Sequence, residues 1–374
     1  HGYELSTQRG STYNAYLIVD REVVLVDTVW GPFKEQLIEN IRQIIDPSKI
    51  SIVVANHGET DHSGGLPAVM ACAPNATVVV STRGHESIPR HYYQNWKFKP
   101  VKTGERMNIG ESDLIFVEAP MCHWPDTMFT YLTGRNILMP NDAFGQHYAT
   151  AFRFNDQVDQ CELYSEALKY YANILTPYSK QVAKKIDDVL ALNLPVSIIA
   201  PSHGVIWRQD PLQIVKAYQK WASGASEPSA VIIYDTMWHA TQRMAEASGA
   251  GLAASGVPYK LYRMAVSDRN DVLTEIFKAK AVIIGSPTLN NGLLPHLMPI
   301  LEEIQGLRFQ NKIGAAFGSY GWSGESVQIL EEHLQKSKIR IVAPGVKAKW
   351  QPSADDLAAC EQLGKQVAAA VKAS

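Results

Sequence analysis

The sequence predicts an α/β protein of two domains. Three observations carry this reading. The chain has 374 residues, more than one hydrophobic core comfortably fills. Its first part strings short apolar runs between polar loops, with helical periodicity placed among them. Its last third alternates strand and helix with regular spacing, the pattern of a parallel sheet covered on both faces.

In the first part, residues 15–19, 23–26, 50–55, 77–81, 114–118, 128–132 and 197–200 read as strands, because they are short, rich in β-branched and aromatic side chains, and bounded by turn residues. Apolar residues recurring three or four apart, with charges opposite, place helices at 33–45, 158–174 and 178–191. Residues 223–229 combine Gly, Pro and Ser in linker fashion, so the boundary is set there, giving domains of 1–226 and 227–374. Beyond it strands are expected at 230–235, 258–264, 281–286, 312–318 and 340–346, with helices between and a last one from about 353. Five strands in such alternation imply an open, doubly wound parallel sheet, whose ligands sit at the carboxyl ends of its strands.

Composition narrows the function. With 35 basic and 37 acidic residues the net charge is −2, so no one-signed field attracts nucleic acid or an anionic membrane. Small molecules and proteins are the expected partners. Cys72, Cys122, Cys161 and Cys360 form no C-x-x-C pair, so neither a disulfide framework nor a metal knuckle is encoded, and a reducing cytoplasm is the expected compartment. There is no apolar run of about 20 residues and no signal pattern at the start. The chain opens at His1 rather than Met, which leaves room for a short segment ahead of it.

The densest chemical signal follows the apolar strand 50–55: His57, Glu59, Asp61 and His62 lie within six residues on one loop. Three more ligand types stand at later strand ends, His123, Asp142 and His203. Seven such groups suit two metal ions, with a carboxylate such as Asp142 able to bridge them. A single strand-end histidine is usually structural, and His85, His91 and His333 are read that way. A polar cluster as dense as H-x-E-x-D-H is costly to bury unless paired or metallated.

Here the first domain resembles the metallo-β-lactamase superfamily, whose usual strand-end motif is H-x-H-x-D-H and usually serves zinc hydrolases. Glu59 replaces the second histidine. The exchange makes the ligand set harder and more anionic, which favours redox-active iron over zinc. With that substitution the domain resembles the flavodiiron proteins, and His57, Glu59, Asp61, His62, His123, Asp142 and His203 each match a ligand position of that family; the position of His62 does not bind metal in every member.

The second domain offers three loops at strand ends. Residues 235–241 open a helix, where unpaired N–H groups and the dipole favour a phosphate, and Thr236 and Thr241 add hydroxyls beside Met237, Trp238, His239 and Ala240. Residues 285–292 bring Ser286, Pro287, Thr288, Asn290, Asn291 and Gly292, and residues 318–324 bring Ser319, Tyr320, Gly321, Trp322 and Gly324. Glycines allow close backbone approach and Tyr320 and Trp322 give flat faces for a ring. The set resembles a flavodoxin, which holds flavin mononucleotide (FMN) between such loops.

The flavodiiron resemblance covers essentially the whole chain. It implies a metallo-β-lactamase-like αββα sandwich followed by a flavodoxin-like doubly wound five-stranded parallel sheet. By the same resemblance the protein would reduce dioxygen to water, nitric oxide to nitrous oxide, or both, at a non-haem diiron site refilled by FMN. A head-to-tail homodimer, or a dimer of dimers, would bring the flavin of one subunit to the metals of another. Some members continue into a rubredoxin or reductase module, for which this chain lacks the cysteines, so electrons would come from a separate rubredoxin or a reduced deazaflavin. Tyr3, Tyr170 and Tyr171 match places from which such enzymes offer a phenol proton, and Asp126 and His147 lie close enough to ligands in sequence to orient them. Two rivals are a zinc hydrolase carrying a flavodoxin appendage and a sensor or electron-transfer protein with a structural metal pair.

Overall fold

A computed structural model describes every residue except His1 and Tyr3. It divides the chain into two units, His1–Tyr171 with Tyr178–Ser223, and Gly224–Ser374 with Ala172–Pro177. The short stretch that joins the second unit does so through Asn173, which exchanges hydrogen bonds with Asn270 and donates another to Thr274.

The first unit holds two five-stranded sheets. One runs β1 (Tyr16–Val19), β2 (Val23–Val26), β3 (Ile52–Ala55), β4 (Thr77–Ser81) and β5 (Lys97–Val101) in that order, antiparallel at its first pair and parallel after. The other contains β6 (Arg106–Asn108), β7 (Asp113–Glu118), β8 (Met128–Leu132), β9 (Ile137–Met139) and β10 (Ile198–Ile199), ordered from β10 to β6. Alternation in β2 shows how the sandwich forms: Val24 and Val26 face β7 and β8 through Leu114, Phe116 and Met128, whereas Val23 and Leu25 pack on Leu37, Ile38, Leu66 and Val69 of helices. A strand buried on both faces must be apolar throughout, which is why the strand pattern was legible there. Three strands were not anticipated. β5 and β6 are edge strands carrying Lys97, Lys99, Pro100 and Arg106, residues that blunt edges and disguise strands. β9 has only three residues.

The second unit forms a parallel sheet ordered β12 (Tyr259–Arg263), β11 (Glu227–Tyr234), β13 (Ala279–Gly285), β14 (Ile313–Tyr320) and β15 (Arg340–Ile341). The expected fifth strand is interrupted. β15 ends before Ala343-Pro344-Gly345, and a second piece, β16 (Val346–Lys349), resumes pairing with β14; a proline in that gap has no N–H for the ladder. β11 begins at Glu227, inside the stretch read as a linker. One face of the sheet packs Ile232, Ile283 and Ala315 against Met244 and Leu252 of the helix Ala240–Ala254 and Leu363 and Val367 of the helix Ala354–Lys372. Those helices cross so closely that a Cβ on Gly251 would stand 2.0 Å from the Glu361 carbonyl, a contact that only glycine avoids. Among the described residues no helix is long and apolar enough to cross a membrane.

Candidate metal centre and the loops of the second unit

The loop after β3 turns at Asn56 and runs through His57, Gly58 and Glu59 into the short helix Thr60–Ser63, which carries Asp61 and His62. Buried polar contacts hold it. Asp27, at the end of β2, accepts hydrogen bonds from the backbone and side chain of Asn56 at 2.8 and 3.0 Å and from Asn141 at 3.1 Å, and Thr130 donates to Asn56 at 2.7 Å. Burial pushes the Asp27 carboxyl above its usual range, against the pull of His62 and these donors. None of these partners is in the set named from sequence. The available signal was a polar residue closing an otherwise apolar strand, as Asp27 closes β2.

The other ligand types arrive on loops from the opposite sheet: His123 between β7 and β8, Asp142 after β9, and His203 after β10. All seven meet, in two groups. His57 Nε2 lies 3.2 Å from Glu59 Oε2 and 3.5 Å from Asp142 Oδ2, and His123 Nε2 lies 3.4 Å from Glu59 Oε2 and 3.2 Å from Asp142 Oδ2. In the second group His62 Nε2 lies 3.2 Å from Asp61 Oδ2 and 2.8 Å from Asp142 Oδ1, while His203 Nε2 lies 3.2 Å from Asp61 Oδ2 and 3.4 Å from Asp142 Oδ1. Asp142 therefore turns one oxygen to each group. Each group presents two imidazole nitrogens and two carboxylate oxygens with edges of 2.8 to 3.5 Å, close to the spacing of about 3.4 Å between ligands set tetrahedrally about 2.1 Å from a shared ion. Four histidines and three carboxylates converging at low exposure fit a pair of divalent cations.

The electrostatics agree. Burial disfavours a charged imidazole, but Asp142 and Asp61 outweigh it and raise His62 to about 9; Glu59 is opposed by burial yet drawn down to about 2 by hydrogen bonds with His123 and His57. His57 is raised and Asp142 lowered in the same way. Protons occupy the places of cations in protein stripped of metal, which gives a pH prediction. The contribution of His62 is complete below its ordinary value of 6.5 and is lost as pH rises through about 9. That of Glu59 is complete above 4.5 and is lost as pH falls through about 2. The thermal midpoint of stripped protein should thus be highest where these plateaus overlap, between pH 4.5 and 6.5, and fall as pH rises through about 9, while metal affinity rises over the same interval because ligands must shed protons. A midpoint that climbs toward pH 9.5 would contradict this assignment.

The residues expected around the ligands fall unevenly. Asp126 bonds His57 and is buried. His147 stacks 4.7 Å from His203 and 5.2 Å from Tyr170, with its Nδ1 2.7 Å from Ser11 Oγ. Tyr170 lies 6.1 Å from His203, and burial, with the charges of Asp142, Glu59 and Asp61, holds its phenol well above the usual range. The Tyr171 hydroxyl meets Ser179 Oγ at 3.0 Å and its ring packs on Tyr218 and Trp221. Of the two tyrosines, Tyr170 is the one whose ring neighbours a ligand histidine. Tyr3 lies outside the described residues.

In the second unit the three expected loops converge at the carboxyl ends of β11, β13 and β14. Thr241 Oγ1 lies 2.9 Å from Ser319 Oγ, Thr288 N–H donates to the Ser319 carbonyl at 2.8 Å, and Ser286 Oγ accepts from Leu294 N–H at 3.1 Å. Asn291 binds Ser323 and Glu325. His239 adopts φ 65° just before the helix Ala240–Ala254, whose first N–H groups have no partner inside the helix. Trp238 and Trp322 stand 81% and 72% exposed, uncovered flat faces at the rim. Trp350, outside the set named from sequence, joins them: its N–H donates to the Tyr320 carbonyl at 2.7 Å, its ring lies against Gly321, and it is 65% exposed. Its signal was an aromatic directly after a strand end, masked by the break between β15 and β16.

A β-lactamase-fold domain with a two-group metal centre, joined to a flavodoxin-type sheet, defines the class. Residues 12–204 match the ODP family beta lactamase and residues 232–364 the flavodoxin family. The chain is 51% identical over 373 residues to the nitric oxide reductase of Moorella thermoacetica, covering 99% of this chain and 94% of that one. Among solved structures, the rubredoxin oxygen:oxidoreductase of the anaerobe Desulfovibrio gigas superposes with a TM-score of 0.98 at 37% identity, covering 100% of this chain and 94% of that one. The flavodiiron protein of Giardia intestinalis does so with a TM-score of 0.92 at 31% identity, covering 98% and 91%. The chain belongs to the flavodiiron proteins, a family of oxidoreductases.

Proposed function

We propose that this protein reduces nitric oxide to nitrous oxide, and dioxygen to water, at a pair of irons held by His57, Glu59, Asp61, His62, His123, Asp142 and His203, with FMN in the second unit as the source of electrons. The observation that carries the reading is Asp142 with an oxygen turned to each of two histidine–carboxylate groups. A relative named for nitric oxide and a structural neighbour named for rubredoxin and oxygen support it. Bound irons would supply two electrons at once to a diatomic molecule, and a flavin would replace them one at a time. Two molecules of nitric oxide with two electrons and two protons give nitrous oxide and water; dioxygen takes four of each.

The side chains do the rest. Asp142 fixes the separation of the two positions and offsets their positive charge. Tyr170, protonated at neutral pH, is the buried proton source beside His203. Glu59 and His123, the partly exposed ligands at 29% and 18%, mark the side from which a gas enters. In the second unit the start of the helix Ala240–Ala254 with Thr236 and Thr241 would take the flavin phosphate, and Trp238 and Trp322 would cover its ring. Electrons would come from a rubredoxin or a reduced deazaflavin, and a head-to-tail homodimer would pair the flavin of one subunit with the irons of its partner.

The test is protein purified without oxygen, analysed for metal and flavin and assayed with a reductant for consumption of each gas. Iron with FMN and turnover of nitric oxide is the expected result, and the ratio of rates ranks the substrates. Zinc in place of iron, with neither gas consumed, would overturn the proposal.

A further inference from the structure

We infer that Asp126 is a positioning residue that fixes His57 for one of the two metal positions and makes the two positions unequal. The inference rests on the metal reading above. In front, the positions match: each has two imidazoles, one carboxylate of its own and one oxygen of Asp142. Behind, they differ. His57 Nδ1 donates to Asp126 Oδ1 at 3.1 Å, His203 Nδ1 donates to the neutral carbonyl of Thr12 at 2.6 Å, and His62 Nδ1 makes no hydrogen bond among the described residues. Among those residues, His57 is the one imidazole of the four whose Nδ1 is backed by a carboxylate.

Asp126 is built for that task. It is 3% exposed, and its Oδ2 is already committed to Gly58 N–H at 3.0 Å and Ser87 Oγ–H at 2.6 Å, while Ser81 holds its backbone carbonyl at 2.7 Å. Oδ1 is left to face His57. A Cβ at position 58 would come within 2.6 Å of Oδ2, so glycine lets the ligand loop settle onto the carboxylate. Accepting the Nδ1 proton fixes the tautomer, leaves the Nε2 lone pair toward Glu59 and Asp142, and makes the ring a stronger donor than a carbonyl partner would. The position of His57, Glu59 and His123 therefore depends on a buried negative charge that the other position lacks.

Asp126→Asn tests this sharply. An amide turned to keep Gly58 and Ser87 as donors presents its NH2 to His57, selecting the tautomer whose Nε2 carries the proton and cannot ligate. Full-length wild type, Asp126→Asn and Ser87→Ala would be loaded with ferrous iron without oxygen, titrated with a chelator, and read by Mössbauer spectroscopy. The first iron should leave Asp126→Asn at roughly 10–100-fold lower chelator activity than wild type, with the second retained and one of two quadrupole doublets altered. Ser87→Ala, which loosens Asp126 without touching a ligand, should show the same selective loss to a smaller degree, and it carries the test if Asp126→Asn does not fold. Flavin absorbance reports on the second unit throughout. Wild-type chelator profiles and spectra in the variants would overturn the inference, as would equal loss of both irons. Wild type that binds no iron would instead sink the metal reading on which it stands.

Discussion

Asp142→Ala is expected to empty both metal positions and abolish turnover of either gas, the largest effect of any single substitution in this chain. The reason is geometric: its oxygens stand 2.8 to 3.5 Å from the Nε2 atoms of all four ligand histidines. Among the described residues no other side chain serves both groups. Affinity should fall by more than the roughly 10–100-fold that outer partners cost. The stripped variant should also lose about 3–5 kcal/mol relative to stripped wild type, because a fully buried carboxylate paired with charged imidazoles is removed. Asp142→Asn separates the causes, since it keeps the volume and loses the charge. Metal analysis with thermal unfolding decides; a variant that keeps one cation at full affinity would show that Asp142 serves a single position.

Removal of the flavin is expected to have the second largest effect. Flavin-free protein should keep its metals, because all seven ligands lie in the first unit, yet lose nearly all steady-state turnover with a protein donor. A chemically prereduced sample should still complete one turnover. That split separates a relay from a structural cofactor, for a structural role would lower both. Trp238→Ala should reproduce a milder form through weaker flavin retention, since stacking on an aromatic is worth about 0.5–1.5 kcal/mol.

Much of this was legible in the chain because the chemistry sits at strand ends. β3 followed by His57, Glu59, Asp61 and His62 needed only an apolar run and a ligand spacing, and the loops after β11, β13 and β14 needed only regular alternation. What sequence did not yield was non-local or irregular. The acceptor for His203 is the carbonyl of Thr12, 191 positions away, and the carboxylate holding Asn56 is Asp27, 29 positions away; neither leaves a periodic trace. A continuous helix was expected over 158–174. The α-helix instead ends at Tyr170 and the chain widens into a π-helical turn at Tyr171–Leu175, an irregularity that apolar periodicity does not reveal.

The proposed function requires the ligands on the loop after β3, with those on three loops of the opposite sheet, to hold a redox-active metal pair that joins two molecules of nitric oxide. It is tested most directly by mixing fully reduced, iron-loaded protein with nitric oxide in the absence of donor and measuring nitrous oxide by gas chromatography. The account predicts prompt release of one nitrous oxide for each reduced metal pair, with no such product from Asp142→Ala. Reduced, iron-loaded protein that binds nitric oxide and releases no nitrous oxide would contradict it.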